Sequence, residues 1–252
     1  MDVAAYLARI TYQGPLAPTA EALRRLQTAH LRAIPFENLS IHTGEPIVLE
    51  DEALFEKVVT RRRGGFCYEL NGLFASLLRR LGFDVTMLAA EVMNARGEYG
   101  PPFDHMALCV TLKDRWLADV GFGDSFLEPL RLDAGAVQTQ GDRAYRMDRQ
   151  GDYFVVMQRI GDAEWRAQYR CLLERHEYAD YAEMCRYHQT SPDSPFTRRR
   201  ICSRATLDGR VTLSGTRLIS TEAAGRQERE LPDERDYVDA LRDHFGIALR
   251  ST

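Results

Sequence analysis

The hydrophobic period of this chain changes near residue 84, and the change divides its predicted elements into two kinds. Before it, apolar residues recur at three- and four-residue intervals, the spacing of helices with one buried face. Val3, Tyr6, Leu7 and Ile10 follow a capping Asp2, and Leu23 and Leu26 follow a capping Thr19 in a helix predicted to run to His30. Leu54, Val58 and Val59 follow Asp51. The strongest such run is Leu70, Leu73, Phe74, Leu77, Leu78 and Leu81, stopped by Gly82. Pro35 cannot sit inside a helix, so 34–39 is predicted to be a tethered loop.

After Asp84 an alternating pattern takes over, with strands predicted at 85–92, 105–112, 116–120, 127–132, 144–147, 153–159 and 165–171. A helix over 178–188, a linker at 191–195, a hairpin turning at Asp208-Gly209 and an amphipathic helix over 232–245 complete the chain. The 105–120 hairpin carries the most information. Met106, Leu108, Val110 and Leu112 share one face with Trp116, Ala118 and Val120, so His105 and Asp119 share the other. A three-residue loop pairing Thr111 with Arg115 sets Asp119 opposite Ala107 and diagonal to His105, ~7–8 Å away between backbones. A register slipped by two residues separates them, and the pattern allows both.

Cys67 falls in the first turn of the strongest helix, just after Gly64-Gly65. Unpaired N–H groups there favour an anion, and Arg61, Arg62 and Arg63 add positive charge, a setting that lowers a thiol's pKa. A small buried hydrophobe at a helix start gives the same pattern. Cysteine, histidine and aspartate are together the residue types of thiol acyl transfer: nucleophile, proton carrier, and a carboxylate that orients the imidazole and favours its charged form.

Charge and cysteine usage narrow the class. A net charge of −4 argues against a general nucleic-acid binder. Five cysteines, an odd number without framework spacing, point to a reducing, cytoplasmic setting. The first residues lack the basic region of a signal peptide, and no stretch has the ~18 apolar residues of a membrane span. Cys171, His176, Cys185 and His188 match no common zinc spacing, so no metal is expected. Gly121-Phe-Gly123 lacks the residues that make a phosphate loop.

The motifs Ile34-Pro-Phe-Glu-Asn-Leu39, Arg63-Gly-Gly-Phe-Cys-Tyr-Glu-Leu-Asn71, Asp104-His-Met-Ala-Leu108, Ala118-Asp-Val-Gly-Phe-Gly123, Ser194-Pro-Phe-Thr197 and Asp208-Gly-Arg-Val-Thr-Leu213 occur in this order. In them the chain resembles the arylamine N-acetyltransferase family over nearly its whole length. The resemblance implies an α+β, papain-like cysteine-proteinase fold in three parts. These are an N-terminal helical bundle (1–84), an antiparallel β-barrel (85–188) and a C-terminal α/β lid (189–252). It implies ping-pong transfer from acetyl-CoA through acetyl-Cys67 to a small arylamine, arylhydroxylamine or hydrazine, with His105 carrying the proton and Asp119 orienting it. By the same resemblance Pro102, Phe103, Asp104 and Thr206 contact the cofactor, and the N–H groups of Cys67 and Phe103 hold the oxyanion. Glu37 and Arg63 form a buried ion pair, and Phe122 walls the acceptor pocket. Asp124 stands where many members have glycine, putting a carboxylate near the cofactor path, and the early chain end implies a smaller lid. A monomer or weak homo-oligomer is expected. The same three residue types also serve papain-like peptidases and transglutaminases, and a ligand-binding scaffold is the reading from another class.

Overall fold

The computed structural model describes residues 1–133, 135–222 and 225–249. Helices open the chain: α1 (Val3–Arg9), α2 (Ala20–Ala33), α3 (Leu39–Thr43), α4 (Asp51–Phe55), which runs into a π-helical turn at Glu56–Thr60, and α5 (Cys67–Arg80). Asp2 and Thr19 act as the predicted caps, accepting from the Ala5 N–H (3.1 Å) and the Ala22 N–H (3.2 Å). α2 continues past the predicted end at His30, because the Ile34 N–H still reaches the His30 carbonyl (2.8 Å) and the break comes only at Pro35.

α5 differs from the one-faced helix that its apolar stripe predicts. Every residue from Cys67 to Leu78 is buried. The helix can be central because its polar side chains are matched there: Glu69 by Lys57 and the Phe66 N–H, Asn71 by Met106 and Asp119, Ser76 by Asp51.

An eight-stranded antiparallel sheet follows: β2 (Asp84–Val92), β3 (His105–Thr111), β4 (Arg115–Ala118), β5 (Leu130–Arg131), β6 (Gln138–Gln140), β7 (Arg143–Gln150), β8 (Tyr153–Ile160) and β9 (Arg166–Cys171). Its order is β5-β4-β3-β2-β9-β8-β7-β6, and it curls until its edges nearly meet. Side-chain amides bridge the remaining gap. Gln138 Oε1 accepts from the Arg131 N–H (2.8 Å) and its Nε2 donates to the Arg131 carbonyl (3.1 Å), while Gln140 binds the backbone of Leu127 and Glu128.

Met106, Leu108, Val110 and Ala118 form the barrel's outer face against α5. The opposite face, which alternation marks as polar, is the barrel interior, where Ala107, Cys109 and Leu117 pack with Leu88, Tyr145 and Tyr169. Both faces of the hairpin are therefore buried, and Cys109 is interior packing.

A 3-10 turn (Tyr178–Tyr181), α6 (Ala182–Thr190) and α7 (Pro195–Arg198) lead to a second sheet: β10 (Ile201–Ala205), β11 (Gly209–Ser214), β12 (Arg217–Glu222) and β13 (Gly225–Glu230). α8 (Glu234–Phe245) packs Tyr237, Ala240, Leu241 and Phe245 against Cys202, Val211 and Leu213. The fifth strand corrects the expectation of a loop at 34–39. Phe36–Glu37 form β1, paired with Ser203 and Cys202 at the sheet's edge. The segment is held across two parts of the chain, since the Glu37 N–H also donates to the Gly65 carbonyl (2.8 Å). The architecture is α+β, with helices and a nearly closed antiparallel barrel as expected. Among the described residues no helix is long and apolar enough to cross a membrane.

Candidate active site

The start of α5 is fixed from behind. Gly64 passes so close to the segment before β1 that a Cβ there would stand 2.0 Å from the Pro35 carbonyl oxygen. Arg63 and Glu37 form the expected buried ion pair, with Nη2 and Oε1 2.9 Å apart. A second buried pair, Lys57 Nζ to Glu69 Oε1 at 2.6 Å, has no signal in the sequence pattern. It holds the Glu69 carboxylate where Oε2 accepts the Phe66 N–H (3.1 Å), tying down the residue before Cys67.

Cys67 itself is 3% exposed. Burial pushes its thiol well above the ordinary range; a hydrogen bond from the Met106 N–H works against this, while Asp104, Cys185 and Asp119 add to it. The arginines expected to favour the thiolate are engaged elsewhere: Arg61 with Glu45 (2.5 Å) and Arg63 with Glu37, while Arg62 is exposed. A thiolate at Cys67 would therefore need another partner.

The β3–β4 hairpin carries His105, the candidate for that role. Its register is Thr111 opposite Arg115 and Leu108 opposite Ala118, the register with the three-residue loop. His105 Nε2 lies 2.8 Å from Asp119 Oδ2, both side chains almost fully buried. Among the described residues, Nδ1 of His105 forms no hydrogen bond to protein.

Asp119 receives three more donors: Asn71 Nδ2 (2.9 Å) and the Gly121 N–H (2.9 Å) on Oδ1, and the Tyr169 hydroxyl (3.0 Å) on Oδ2. Burial alone would raise its pKa; the His105 charge, with hydrogen bonds from His105, Asn71 and Gly121, holds it below the usual carboxylate range. Asn71 also donates to the Met106 carbonyl (2.6 Å) and accepts the Val120 N–H (2.8 Å), so one amide joins α5 to both strands. Sequence reasoning singled out neither Asn71 nor Tyr169. Asn71 had a signal, since it stands four residues after Cys67 on the same helix face; Tyr169, on a distant strand, had none.

The turn after Asp119 closes on Cys67. A Cβ at Gly121 would lie 2.7 Å from Cys67 Cα, so only glycine fits there without moving the α5 start. Phe122 meets the His105 ring edge-on at 5.3 Å. Asp124 does not stand loose near the site, for Arg143 (2.7 Å) and Arg210 (3.0 Å) both grip its Oδ1. Burial raises this carboxyl, and the two guanidinium groups reverse the effect and hold it low.

Pro102, Phe103 and Asp104 form the turn leading into His105. Phe103 has φ +64°, and its carbonyl accepts the Tyr68 hydroxyl (2.6 Å). Thr206 lies apart from them in sequence, in the β10–β11 turn, with its N–H closed on the Gly209 carbonyl (2.9 Å). His176 stands near Asp180, and His188 faces Ser194 and Asp104. Among the described residues no cluster of three or more His, Cys, Asp or Glu side chains could hold a metal ion. A surface groove of about 550 Å³, lined by Arg24, Arg25, Arg32 and Glu128 among others, includes none of Cys67, His105 and Asp119.

A sequence model described as N-acetyltransferase matches residues 19–252. The chain is 38% identical to the arylamine N-acetyltransferase of Mycobacterium tuberculosis, over 98% of this chain and 89% of that protein. It is 34% identical to the arylamine N-acetyltransferase of Escherichia coli, over 97% and 88%. Among solved structures, that of the Salmonella typhimurium arylamine N-acetyltransferase superposes with a TM-score of 0.93 at 32% identity, covering 99% of this chain and 92% of that one. The Mycobacterium marinum arylamine N-acetyltransferase in complex with CoA superposes with a TM-score of 0.90 at 37% identity, covering 98% and 93%.

Proposed function

This chain belongs to the arylamine N-acetyltransferase family, and from that premise we propose that it moves an acetyl group from acetyl-CoA to a small aromatic amine through a thioester on Cys67. The observation that carries the mechanism is the buried 2.8 Å hydrogen bond between His105 Nε2 and Asp119. With Nε2 committed to the carboxylate, Nδ1 is the nitrogen available to the sulfur's proton. An imidazolium held there offsets the burial that opposes the thiolate.

In the first half-reaction the sulfur attacks the thioester carbonyl of acetyl-CoA. The new S–C bond forms as the bond to the CoA sulfur breaks, and CoA leaves with the proton from His105. In the second, the amine nitrogen attacks acetyl-Cys67, His105 accepts the nitrogen's proton, and the thiolate–imidazolium pair returns. We assign the oxyanion to the N–H groups of Cys67 and Phe103, the donor to the Pro102–Asp104 turn and Thr206, and the acceptor wall to Phe122. Its edge-on contact with His105 supports that last role. Hydrazines and arylhydroxylamines belong to the same acceptor class, having an exposed nitrogen nucleophile on a small flat group.

We keep the division into 1–84, 85–188 and 189–252 as the working one. A cytoplasmic location is the reading supported by five buried cysteines, all free.

The test is intact-mass spectrometry after incubation with acetyl-CoA alone. One acetyl group should appear on Cys67, vanish when an arylamine is added, and be absent from Cys67→Ala. An unmodified wild-type protein at saturating donor would overturn the reading.

A further inference from the structure

His188 is a buried histidine that the reaction leaves unused. It is 2% exposed, enclosed by the rings of Phe66, Tyr68, Tyr187 and Phe196 at centroid distances between 5.0 and 6.5 Å. Phe66 and Tyr68 are the two residues flanking Cys67, so this imidazole packs against both neighbours of the proposed nucleophile. Its Nδ1 lies 3.1 Å from the Ser194 hydroxyl. That oxygen also accepts the Phe196 N–H (3.2 Å) and has its proton to give to Nδ1, the arrangement that puts the ring's N–H on Nε2, toward Asp104. Nε2 stands 3.3 Å from Asp104 Oδ1, within ion-pair distance though short of the alignment of a full hydrogen bond.

Asp104 immediately precedes His105 and follows Phe103, whose strained φ is pinned by Tyr68. The turn before the proposed proton carrier is thus gripped from α5 and from α6. The Asp104 carboxylate is also the foremost of the charged groups that oppose ionisation of Cys67. A free carboxylate beside a buried thiol disfavours the thiolate, and an N–H donor on that carboxylate draws its charge away.

We propose that His188 is a positioning residue for Cys67: fixed by Ser194, it engages the Asp104 carboxylate and thereby lets the neighbouring sulfur ionise beside His105. The proposal rests on Cys67 being the nucleophile. Besides Asp104 and the proposed partner His105, the titratable groups coupled to Cys67 are Asp119, Cys185, Tyr68 and Tyr181, and the two phenols are kept neutral by burial. Those facing His188 are Asp104, Tyr68 and Tyr187.

The test measures the rate of Cys67 alkylation by iodoacetamide against pH, with peptide mapping to separate Cys67 from the other four cysteines. The variants are His188→Leu, His188→Gln, Asp104→Asn and the double variant Asp104→Asn/His188→Leu. Removing the imidazole should move the midpoint to higher pH, lowering the rate below it by about three- to tenfold, the effect of half to one pKa unit. Glutamine, a neutral donor, should restore part of the loss. Asp104→Asn should move the midpoint the other way, and in that background His188→Leu should have no further effect. Should His188→Leu fail to fold, the glutamine variant and Asp104→Asn still decide.

Profiles identical to wild type in His188→Gln and Asp104→Asn would overturn the proposal. So would an equal loss from His188→Leu in both backgrounds, which marks a packing role only. The readout is separate from acetyl transfer. A wild type that takes no acetyl group yet shows the coupled profiles would fail the proposed reaction and keep this inference.

Discussion

Asp119 accepts four hydrogen bonds, from His105, Asn71, Tyr169 and the Gly121 N–H. Replacing it with asparagine puts an NH₂ group, which can only donate, against partners that are themselves donors. If the NH₂ takes the Oδ2 place, the tyrosine hydroxyl can rotate to accept. The imidazole can then pair only by giving up its Nε2 proton, which leaves the proton on Nδ1, the nitrogen proposed to act as the base. Asp119→Asn should therefore lower kcat/KM on the order of 10³-fold or more while the protein stays folded; steady-state kinetics and circular dichroism check both halves. Activity near wild type would remove Asp119 from the mechanism.

His30 makes a different residue-scale prediction. It is fully buried, meets the Tyr6 hydroxyl at 2.8 Å on Nδ1 and has no partner for Nε2 among the described residues. Burial, helped by the nearby Arg9 charge, pushes its pKa down to about 3. In the unfolded chain a histidine titrates near ~6.5, so between those values only the unfolded chain takes up the proton. The stability tied to His30 is complete above ~6.5 and falls by about 1.4 kcal/mol per pH unit as the solution is acidified toward 3. His30→Gln should flatten the dependence of Tm on pH between 6.5 and 4, although its Tm at pH 8 will be lower. A slope unchanged from wild type would mean the histidine is protonated in the fold.

At the scale of elements, what could be read from the chain depended on whether local pattern or distant partners decided the structure. The β3–β4 hairpin was legible because its alternation runs unbroken on both strands, and parity alone put His105 and Asp119 on one face. The start of α5 was legible from its glycines and its apolar stripe. β1 was not, because two residues after a proline carry no period, and they become a strand only where Cys202 and Ser203 arrive to pair with them. β13 is exposed along its whole length and written Gly-Arg-Gln-Glu-Arg-Glu, with no apolar face to detect; backbone pairing with β12 makes it a strand. β6 was missed because its glutamines contribute through their side-chain amides, closing the barrel where no ladder does. The expected thiolate-favouring arginines failed for a related reason. Charge can be counted along a chain, but Glu37 and Glu45 decided where Arg63 and Arg61 point, and both lie well before them in sequence.

Across the whole molecule, one buried side chain helps the β1–β10 pairing sew the helical part to the C-terminal sheet. Asn38 Nδ2 donates to the carbonyls of Phe196 and Arg199, each at 2.8 Å, and its Oδ1 accepts the Ile201 N–H at 2.8 Å. The residue before it is Glu37, whose carboxylate grips Arg63 four positions ahead of Cys67. A slackened join should therefore be felt in two directions. Asn38→Ala removes the partner of the Ile201 N–H and of the Arg199 carbonyl, while the Phe196 carbonyl keeps His42 Nε2 at 3.0 Å; the loss is about 2–4 kcal/mol if the two groups cannot reach water. Because the barrel makes none of these bonds, the loss should fall unevenly. In hydrogen exchange β10 to β12 should open sooner than in wild type while β7 to β9 keep their protection, and the thermal transition should broaden or split. Acetyl transfer should weaken as well, since β1 also holds Gly65 through the Glu37 N–H. Faster exchange spread evenly over both sheets would show that the molecule unfolds as one unit and that Asn38 is only one contact among many.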